Sequence, residues 1–128
     1  MAERARVPEP HEAKLSAELR RRLERMAPGR SVRAVVLLET ATARPAVLRS
    51  TDRQEAIGAV RDAARSAKLV LDPILSQFGG RWLSEEPDTL GSLGVEAPVA
   101  GLLALAGSDR VRAILEDQRI SGLPRQKR

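Results

Sequence analysis

An acidic pair followed by an extended tail is the part of this sequence best suited to a binding chemistry. Glu116 and Asp117 close a short apolar segment that starts at Val111, and the tail after them carries apolar side chains at Ile120 and Leu123. This spacing suits the subsites of an endoprotease, in which backbone pairing supplies affinity and pockets for single side chains supply specificity. An ordinary last strand with a frayed terminus fits the same residues, so both interpretations stay open.

The side chains that most often carry out catalysis are scarce. The sequence has no cysteine, which excludes disulfides, thiolate zinc sites and thiol catalysis. Its one histidine, His11, lies between a proline and a glutamate in the leading arm, where a structural or solvent-facing role is favoured. The glycines of residues 79–80 and 91–94 lack the spacing and the helix start that phosphate binding needs. The carboxylates of residues 85–88 fit a solvated turn better than an acid–base pair or a metal site. We therefore predict a protein that is not an enzyme and that uses no cofactor or metal.

The positive charge of the chain lies on its two arms. The formal net charge is +5, with an excess of four positive charges in residues 1–33 and of three in residues 125–128, while residues 34–124 carry a net charge of −2. Nucleic-acid binding normally requires a basic face, and proteins that bind single strands add stacking aromatics. Phe78 and Trp82 are the only aromatic residues. We therefore predict no nucleic-acid partner.

Membrane association is not indicated either. No segment approaches the run of about 20 apolar residues that a membrane span requires. The first ten residues contain no hydrophobic signal region. With Met1 as the natural start, we expect the protein in the cytoplasm, with residues 1–11 as a disordered lead.

A narrow amphipathic helix is predicted over residues 12–28. Four apolar residues fall within about 80° of one another around such a helix, namely Leu15, Leu19, Leu23 and Met26. Packing of this stripe on the chain's own domain is the favoured interpretation. The alternative is a protein partner bound through residues 12–26. A membrane surface ranks below both, because Glu18 and Glu24 interrupt the basic face of the helix.

Several short apolar segments predict strands. Residues 32–39 form a nearly unbroken apolar run, which is typical of an interior strand covered on at least one face. Three shorter strands are predicted at residues 81–84, 90–96 and 111–116. A compact helix, residues 99–106, stands between the last two strands, and residues 40–50 are expected to form a polar connection.

A long helix is predicted between the first two strands. It opens at Thr51 or Asp52, where the spacing of a capping box occurs. Its apolar stripe occupies a sector about 100° wide, and from it we predict that five residues face the sheet: Ile57, Val60, Ala64, Leu71 and Phe78. The stripe keeps its phase across Pro73, where we expect a kink or a restart of the helix with Asp72 as its cap.

The order of elements over residues 31–119 is strand, helix, strand, strand, helix, strand. Two halves of this kind build the α+β, ferredoxin-like βαββαβ fold, a four-stranded antiparallel sheet with both helices on one face. The helix of residues 12–28 is an addition to this fold, and residues 120–128 are expected to form an extended tail. The second face of the sheet is bare unless the leading helix covers it or a partner does so in trans. The fold by itself selects no function, since it serves many.

About residues 32–123 resemble the inhibitor-type propeptides of subtilisin-like serine proteases. The similarity rests on the opening strand, on the long helix that ends at Phe78-Gly-Gly80 and on the helix of residues 98–107. Its closest part is Ser108-Asp-Arg-Val-Arg-Ala-Ile-Leu-Glu-Asp117, which resembles the family's small polar turn, strand of the form Val-x-x-Val and acidic pair. Such propeptides usually follow a secretion signal and precede a protease domain. Neither is seen in this sequence, so we expect a freestanding relative.

The resemblance implies a domain that acts as a folding chaperone and inhibitor of its protease. In the family, the sheet packs on two surface helices of the enzyme, and the C-terminal tail enters the active-site cleft. Carried over by position, Glu116 and Asp117 are expected at the N-termini of those enzyme helices, where anions are favoured. The four residues before the scissile position correspond to Ile120, Ser121, Gly122 and Leu123.

The chemistry of the tail agrees with this role. Leu123 is expected to fill the primary pocket and Ile120 the pocket three residues upstream, with slender residues between them. Pro124 follows, and its ring and missing N–H make it a poor residue directly after a scissile bond. A tail that binds like a substrate and resists cleavage inhibits persistently. A simple turn before a basic end fits residues 122–124 about as well.

The sequence is therefore compatible with three functions of different classes. The first is a protein-binding module that inhibits or chaperones a subtilisin-like serine protease, with its tail in the active-site cleft. The alternative is a generic interaction or oligomerisation domain, an adaptor, that uses the bare sheet face or the leading helix. A small-molecule regulatory domain of similar topology ranks third, because the polar pocket residues that it needs are not evident.

Overall fold

The computed structural model describes residues 13–27 and 29–117. Within these ranges it contains four α-helices, α1 (Ala17–Glu24), α2 (Arg44–Arg49), α3 (Arg53–Gln77) and α4 (Val99–Ala106), and four strands, β1 (Ser31–Leu38), β2 (Arg81–Trp82), β3 (Ser92–Pro98) and β4 (Val111–Glu116). The strands form one antiparallel sheet in the order β2-β3-β1-β4. The architecture is therefore α+β and compatible with a ferredoxin-like fold, as predicted, with β1 in the interior. The expected lead, residues 1–11, and the tail, residues 120–128, lie outside the described residues.

The alternating side chains of β1 divide the sheet into a buried face and an exposed one. Every second residue from Val32 to Leu38 is buried, whereas Arg33, Val35 and Leu37 keep part of their surface exposed. The buried residues pair in register with buried residues of both neighbouring strands, since Val36 lies opposite Leu93 of β3 and Ile114 of β4. Alternation of this kind is typical of an antiparallel sheet with one solvated face.

The helices cover the buried face with small and branched aliphatic side chains. The side chains that α3 and α4 contribute to the core are Ala64, Ala67, Leu71 and Leu75 of α3 and Val99, Leu102, Leu105 and Ala106 of α4. Of the residues predicted to face the sheet, Ala64 and Leu71 are fully buried. Ile57, Val60 and Phe78 are only half-buried. Helix α3 also packs against α2 and the 3-10 helix Ala41–Ala43.

Helix α3 runs without interruption through Pro73. It begins at the cap Asp52, whose Oδ1 accepts a hydrogen bond from the Gln54 backbone N–H at 2.9 Å, as the capping pattern predicted. The restart at Asp72 is therefore not seen. Instead, the carboxylate of Asp72 accepts a hydrogen bond of 2.6 Å from the Trp82 indole N–H. This bond ties the helix to the edge strand β2.

Two glycines end α3. Gly79 has a φ of 75°, which a residue with a side chain rarely adopts, and the Gly80 N–H donates to the Leu75 carbonyl at 3.0 Å. A Cβ at Gly80 would lie 2.5 Å from Leu75 Cδ1 and 2.8 Å from Ala97 Cβ. Glycine therefore lets the chain turn and enter β2 against β3 without steric overlap.

The leading helix α1 is shorter than predicted and packs on its own domain. Ser16 caps it, since its Oγ accepts a hydrogen bond from the Leu19 N–H at 3.2 Å, and Leu15 lies before the helix in a parallel bridge with Ile114. Leu15, Leu19 and Leu23 are all buried in the common core. The apolar stripe is therefore used within the domain, as the favoured interpretation predicted.

The polar connection predicted for residues 40–50 is wrong in part, because the 3-10 helix and α2 occupy most of it. Pro45 stands in the first turn of α2, where its fixed φ suits a helix and its missing N–H costs nothing. Helix α2 packs on α3. The sequence signal was weak because α2 has only six residues, and none of them is fully buried.

The start of β3 is set by a turn at Asp88. Its Oδ1 accepts hydrogen bonds of 2.9 Å from the N–H groups of Leu90 and Ser92, and its Oδ2 accepts one of 2.6 Å from the Ser92 hydroxyl. Burial raises the pKa of the Asp88 carboxyl, but the hydrogen bonds from Ser92 and the turn outweigh it and hold the pKa below its usual value. The turn moves β3 to Ser92–Pro98, two residues later than predicted.

None of the helices in the described ranges is both long enough and apolar enough to cross a membrane.

Burial in α3 predicts a contrast between two leucines two positions apart. Leu71 has no exposed surface, whereas Leu69 is 69% exposed. Leu71→Ala should lower the free energy of unfolding by about 3 kcal/mol, because it leaves a cavity between helix and sheet. Leu69→Ala should change it by less than about 0.5 kcal/mol. Urea unfolding followed by circular dichroism measures both, and equal losses would contradict the packing of α3.

Candidate functional site

The face of the sheet opposite α3 and α4 is the candidate binding site. We call it the open face. Successive side chains of a strand point to opposite sides, and the register places the following residues here: Arg33, Val35 and Leu37 of β1, Ser92, Gly94 and Glu96 of β3, Ala113 and Leu115 of β4, and Arg81 of β2. In the part of the chain that the structure describes, α1, α3 and α4 all pack on the other side. Within the described residues, none of these helices covers the open face.

The position of α1 on the helix side follows from one ion pair. Arg22 Nη1 lies 3.0 Å from Glu116 Oε2, and Glu116 pairs across the strands with Ala34, a fully buried residue of the helix side. Leu19 and Leu23 also belong to that core. The leading helix thus does not cover the open face, which answers one of the two alternatives raised by the sequence.

Two apolar rows cross the open face perpendicular to the strands. In the first row, Val35 lies between Leu115 on β4 and Gly94 on β3. Gly94 leaves room for Leu83, because a Cβ there would lie 3.3 Å from Leu83 Cδ1. In the second row, Leu37 pairs with Ala113 and with Ser92. Leu115 is 39% exposed, so the rows present aliphatic surface to solvent.

A charged row lies beside the apolar rows at one end of the face. Glu96 stands between two arginines: Arg81 Nη2 lies 2.8 Å from Glu96 Oε1, and Arg33 Nε lies 3.6 Å from Glu96 Oε2. The hydrogen bond from Arg81 holds the pKa of the Glu96 carboxyl below its usual value. Exposed pairs of this kind contribute little to stability. With two cations and one anion, the row gives this end of the face an excess of positive charge.

The two members of the acidic pair, Glu116 and Asp117, have different surroundings in the structure. Glu116 is the last residue of β4, and its side chain, 19% exposed, is held by Arg22 of α1. Asp117 follows directly and is 7% exposed. The expectation that both acids contact helices of an enzyme stays a prediction. For Glu116 it requires that the ion pair with Arg22 opens.

The remaining residues predicted for the site lie outside the described residues. They are Ile120, Ser121, Gly122, Leu123 and Pro124. The structure does place the strand that precedes them, since β4 is an outer strand of the sheet and its last residue, Glu116, lies opposite Ala34. Strand β4 therefore ends at the end of the sheet that carries the charged row.

Sequence reasoning missed the charged row of Arg33, Glu96 and Arg81. One signal was available, because Arg33 interrupts the apolar run of β1, and a charge in such a strand marks its exposed face. Its partners depend on the pairing of β3 with two different strands. No local pattern reveals that pairing.

Among the described residues, no group of three or more His, Cys, Asp or Glu side chains is placed to hold a metal ion. No protein-family model and no curated protein sequence matches this chain.

The contact between α1 and β4 predicts a small energetic coupling. Arg22→Ala and Glu116→Gln should each destabilise the domain slightly, and a double-mutant cycle should give a coupling of about 0.2–1 kcal/mol, because the pair is partly exposed. Urea unfolding of the four proteins measures it. Arg20→Ala combined with Glu116→Gln is the control and should show no coupling. A zero coupling for Arg22 as well would mean that the ion pair does not form in solution.

Proposed function

We propose that the chain is a protein-binding module that inhibits or chaperones a subtilisin-like serine protease. The open face docks on the surface of the enzyme, and residues 120–124 occupy its active-site cleft. The observation that carries the proposal is the open face itself, with aliphatic rows on a sheet whose other side is closed by helices. The resemblance of residues 108–117 to the family's last strand supplies the class of partner.

The size of the open face supports a joint role for face and tail. The three longer strands, β3, β1 and β4, each about 4.8 Å wide and paired over about six residues, give a face of about 300 Å² in plan. Specific protein interfaces bury about 800 Å² on each partner. The open face therefore needs a second contact region. We propose that residues 120–124, which follow β4 in the sequence, provide it.

The connection between the two regions is short. Strand β4 contributes Ala113 and Leu115 to the apolar rows and ends at Glu116. The tail proposed to enter the cleft begins at residue 120, four residues after Glu116 in the sequence. A partner that contacts the aliphatic rows thus has the tail within reach without a long linker, which limits the conformational entropy lost on binding.

The second candidate is an adaptor whose partner is not a protease, and the same open face favours it. The leading helix supports this alternative poorly, because the apolar residues Leu19 and Leu23 are buried in the chain's own core. A partner of residues 12–26 would have to bind the polar side of α1. The proposal keeps the cytoplasmic location and the absence of nucleic-acid and membrane partners as predictions.

Inhibition of a broad-specificity subtilisin tests the proposal. The intact chain should inhibit at micromolar concentration, and a variant that lacks residues 120–128 should keep its fold but lose most inhibition. Leu115→Glu should weaken inhibition at least about tenfold, because it places a charge in an apolar contact. Leu69→Glu is the matched control, since Leu69 is an exposed leucine on α3, and it should change inhibition less than about twofold.

Two substitutions in the tail separate its roles. Leu123→Asp should abolish inhibition nearly as completely as the deletion, because a carboxylate would enter an apolar pocket. Pro124→Ala should convert a stable inhibitor into a slowly cleaved one, which mass spectrometry of the incubated protein detects. If the intact chain does not inhibit at micromolar concentration, the adaptor becomes the better conclusion. Equal inhibition by intact and tail-deleted protein would remove the tail from the mechanism.

A further inference from the structure

A second surface, separate from the open face, lies along α1 beside the end of β4. We call it the arginine groove. It has a volume of about 380 Å³ and is lined by Glu18, Arg21, Arg22, Arg25, Met26 and Glu116. This volume falls at the lower end of the range of ligand sites. The groove is open to solvent, which suits a segment of chain better than an enclosed small molecule.

The fold forces the arginines into this position. Because Leu19 and Leu23 face the core, the opposite side of α1 carries the basic run that the sequence places at residues 20–25. Arg22 is fixed by its ion pair with Glu116 at 3.0 Å. The groove thus contains one guanidinium whose position is set by the domain, next to two others on the same helix.

Those two other guanidiniums belong to Arg21 and Arg25, one helical turn apart. Neighbours at this spacing repel each other when both are positive. Within residues 13–27 and 29–117, neither side chain forms an ion pair or a hydrogen bond, whereas Arg22 does. The C-terminal end of α1 attracts positive charge in general, but it does not require that two cations converge on a groove. An anionic group between them would relieve the repulsion.

We propose that the arginine groove binds an acidic peptide segment of a partner protein. Carboxylates of the segment pair with Arg21 and Arg25, since a guanidinium matches a carboxylate in two parallel hydrogen bonds. An apolar side chain of the segment contacts Met26, whose flexible thioether adapts to varied shapes.

The two acids of the groove narrow the choice of anion. Glu18 lies one turn before Arg21 and Arg22, and Glu116 already forms an ion pair with Arg22. A dense polyanion such as a phosphate or a nucleic-acid backbone would be repelled by these two carboxylates. Single carboxylates, spaced along a peptide and separated by an apolar residue, avoid that repulsion. The groove therefore fits a peptide with alternating Glu and Leu better than inorganic phosphate.

The arginine groove shares Glu116 with the residues expected to contact a protease, but Arg21 and Arg25, which the test changes, belong to neither the open face nor the tail. It lies on the helix side of the sheet, since Glu116 faces the same side as Ala34, and it shares no residue with the open face. Loss of one activity therefore leaves the other testable.

Fluorescence anisotropy with a labelled Glu-Leu-Glu-Leu-Glu peptide at low salt tests the inference. The intact chain should bind it saturably with a Kd below about 100 μM, and the affinity should fall as salt is added. The double variant R21A/R25A should bind at least about tenfold more weakly. The matched control is R44A/R49A, which removes the same charge from two exposed arginines of α2. It should change the affinity less than about twofold, because neither arginine lines the groove.

Further controls test whether the variant is folded, whether the carboxylates of the peptide are needed and whether the groove binds anions in general. An unchanged urea midpoint of R21A/R25A shows that the variant is folded, and a Gln-Leu-Gln-Leu-Gln peptide should not bind. Equal weakening by R21A/R25A and R44A/R49A would reduce the effect to diffuse attraction and overturn the proposal. The absence of saturable binding up to about 1 mM would also overturn it. So would displacement of the peptide by pyrophosphate at matched concentration, because it would make the groove a general anion site.

Discussion

The pairing of β1 with strands on both sides is the constraint on which the rest of the structure depends. Because β1 is interior, its alternating residues point either to the helix-covered face or to the solvated one. The residues on the helix-covered face are only Val, Ala and Leu. Helices α3 and α4 pack on that face through Leu71 and Leu102. The opposite residues, Arg33, Val35 and Leu37, are thereby committed to the open face. A slip of one residue in register would exchange the two sets.

The leading segment completes the domain without changing this division. The Ile114 N–H donates to the Lys14 carbonyl at 2.8 Å, and the Ser16 N–H donates to the Ile114 carbonyl at 2.9 Å. These two bonds place residues 14–16 along the outer edge of β4, where unpaired backbone groups would otherwise invite another strand. Helix α1 then continues on the helix side of the sheet. The segment therefore protects the edge, adds Leu19 to the core and leaves the open face uncovered.

Local patterns identified the elements whose boundaries are local. Helix α4 and strand β4 have the predicted bounds, because Pro98 and the turn after Gly107 mark them in the sequence. The predicted start of α1 was wrong, because the true start depends on a bridge between Leu15 and a strand about a hundred residues later. The charged row on the open face was missed for the same reason, as Glu96 meets Arg33 and Arg81 only after three strands have paired. The ion pair of Glu116 also joins distant segments, so the sequence assigned that acid to a partner alone.

The claim that the open face is the docking surface is tested most directly by methyl NMR of the chain bound to an inactivated subtilisin. The account predicts that the methyl signals of Val35, Leu37 and Leu115 shift or broaden on binding. Those of Leu19 and Leu71, which lie in the core, should stay in place. Changes confined to α1 or α2, with Val35, Leu37 and Leu115 unaffected in a formed complex, would contradict it.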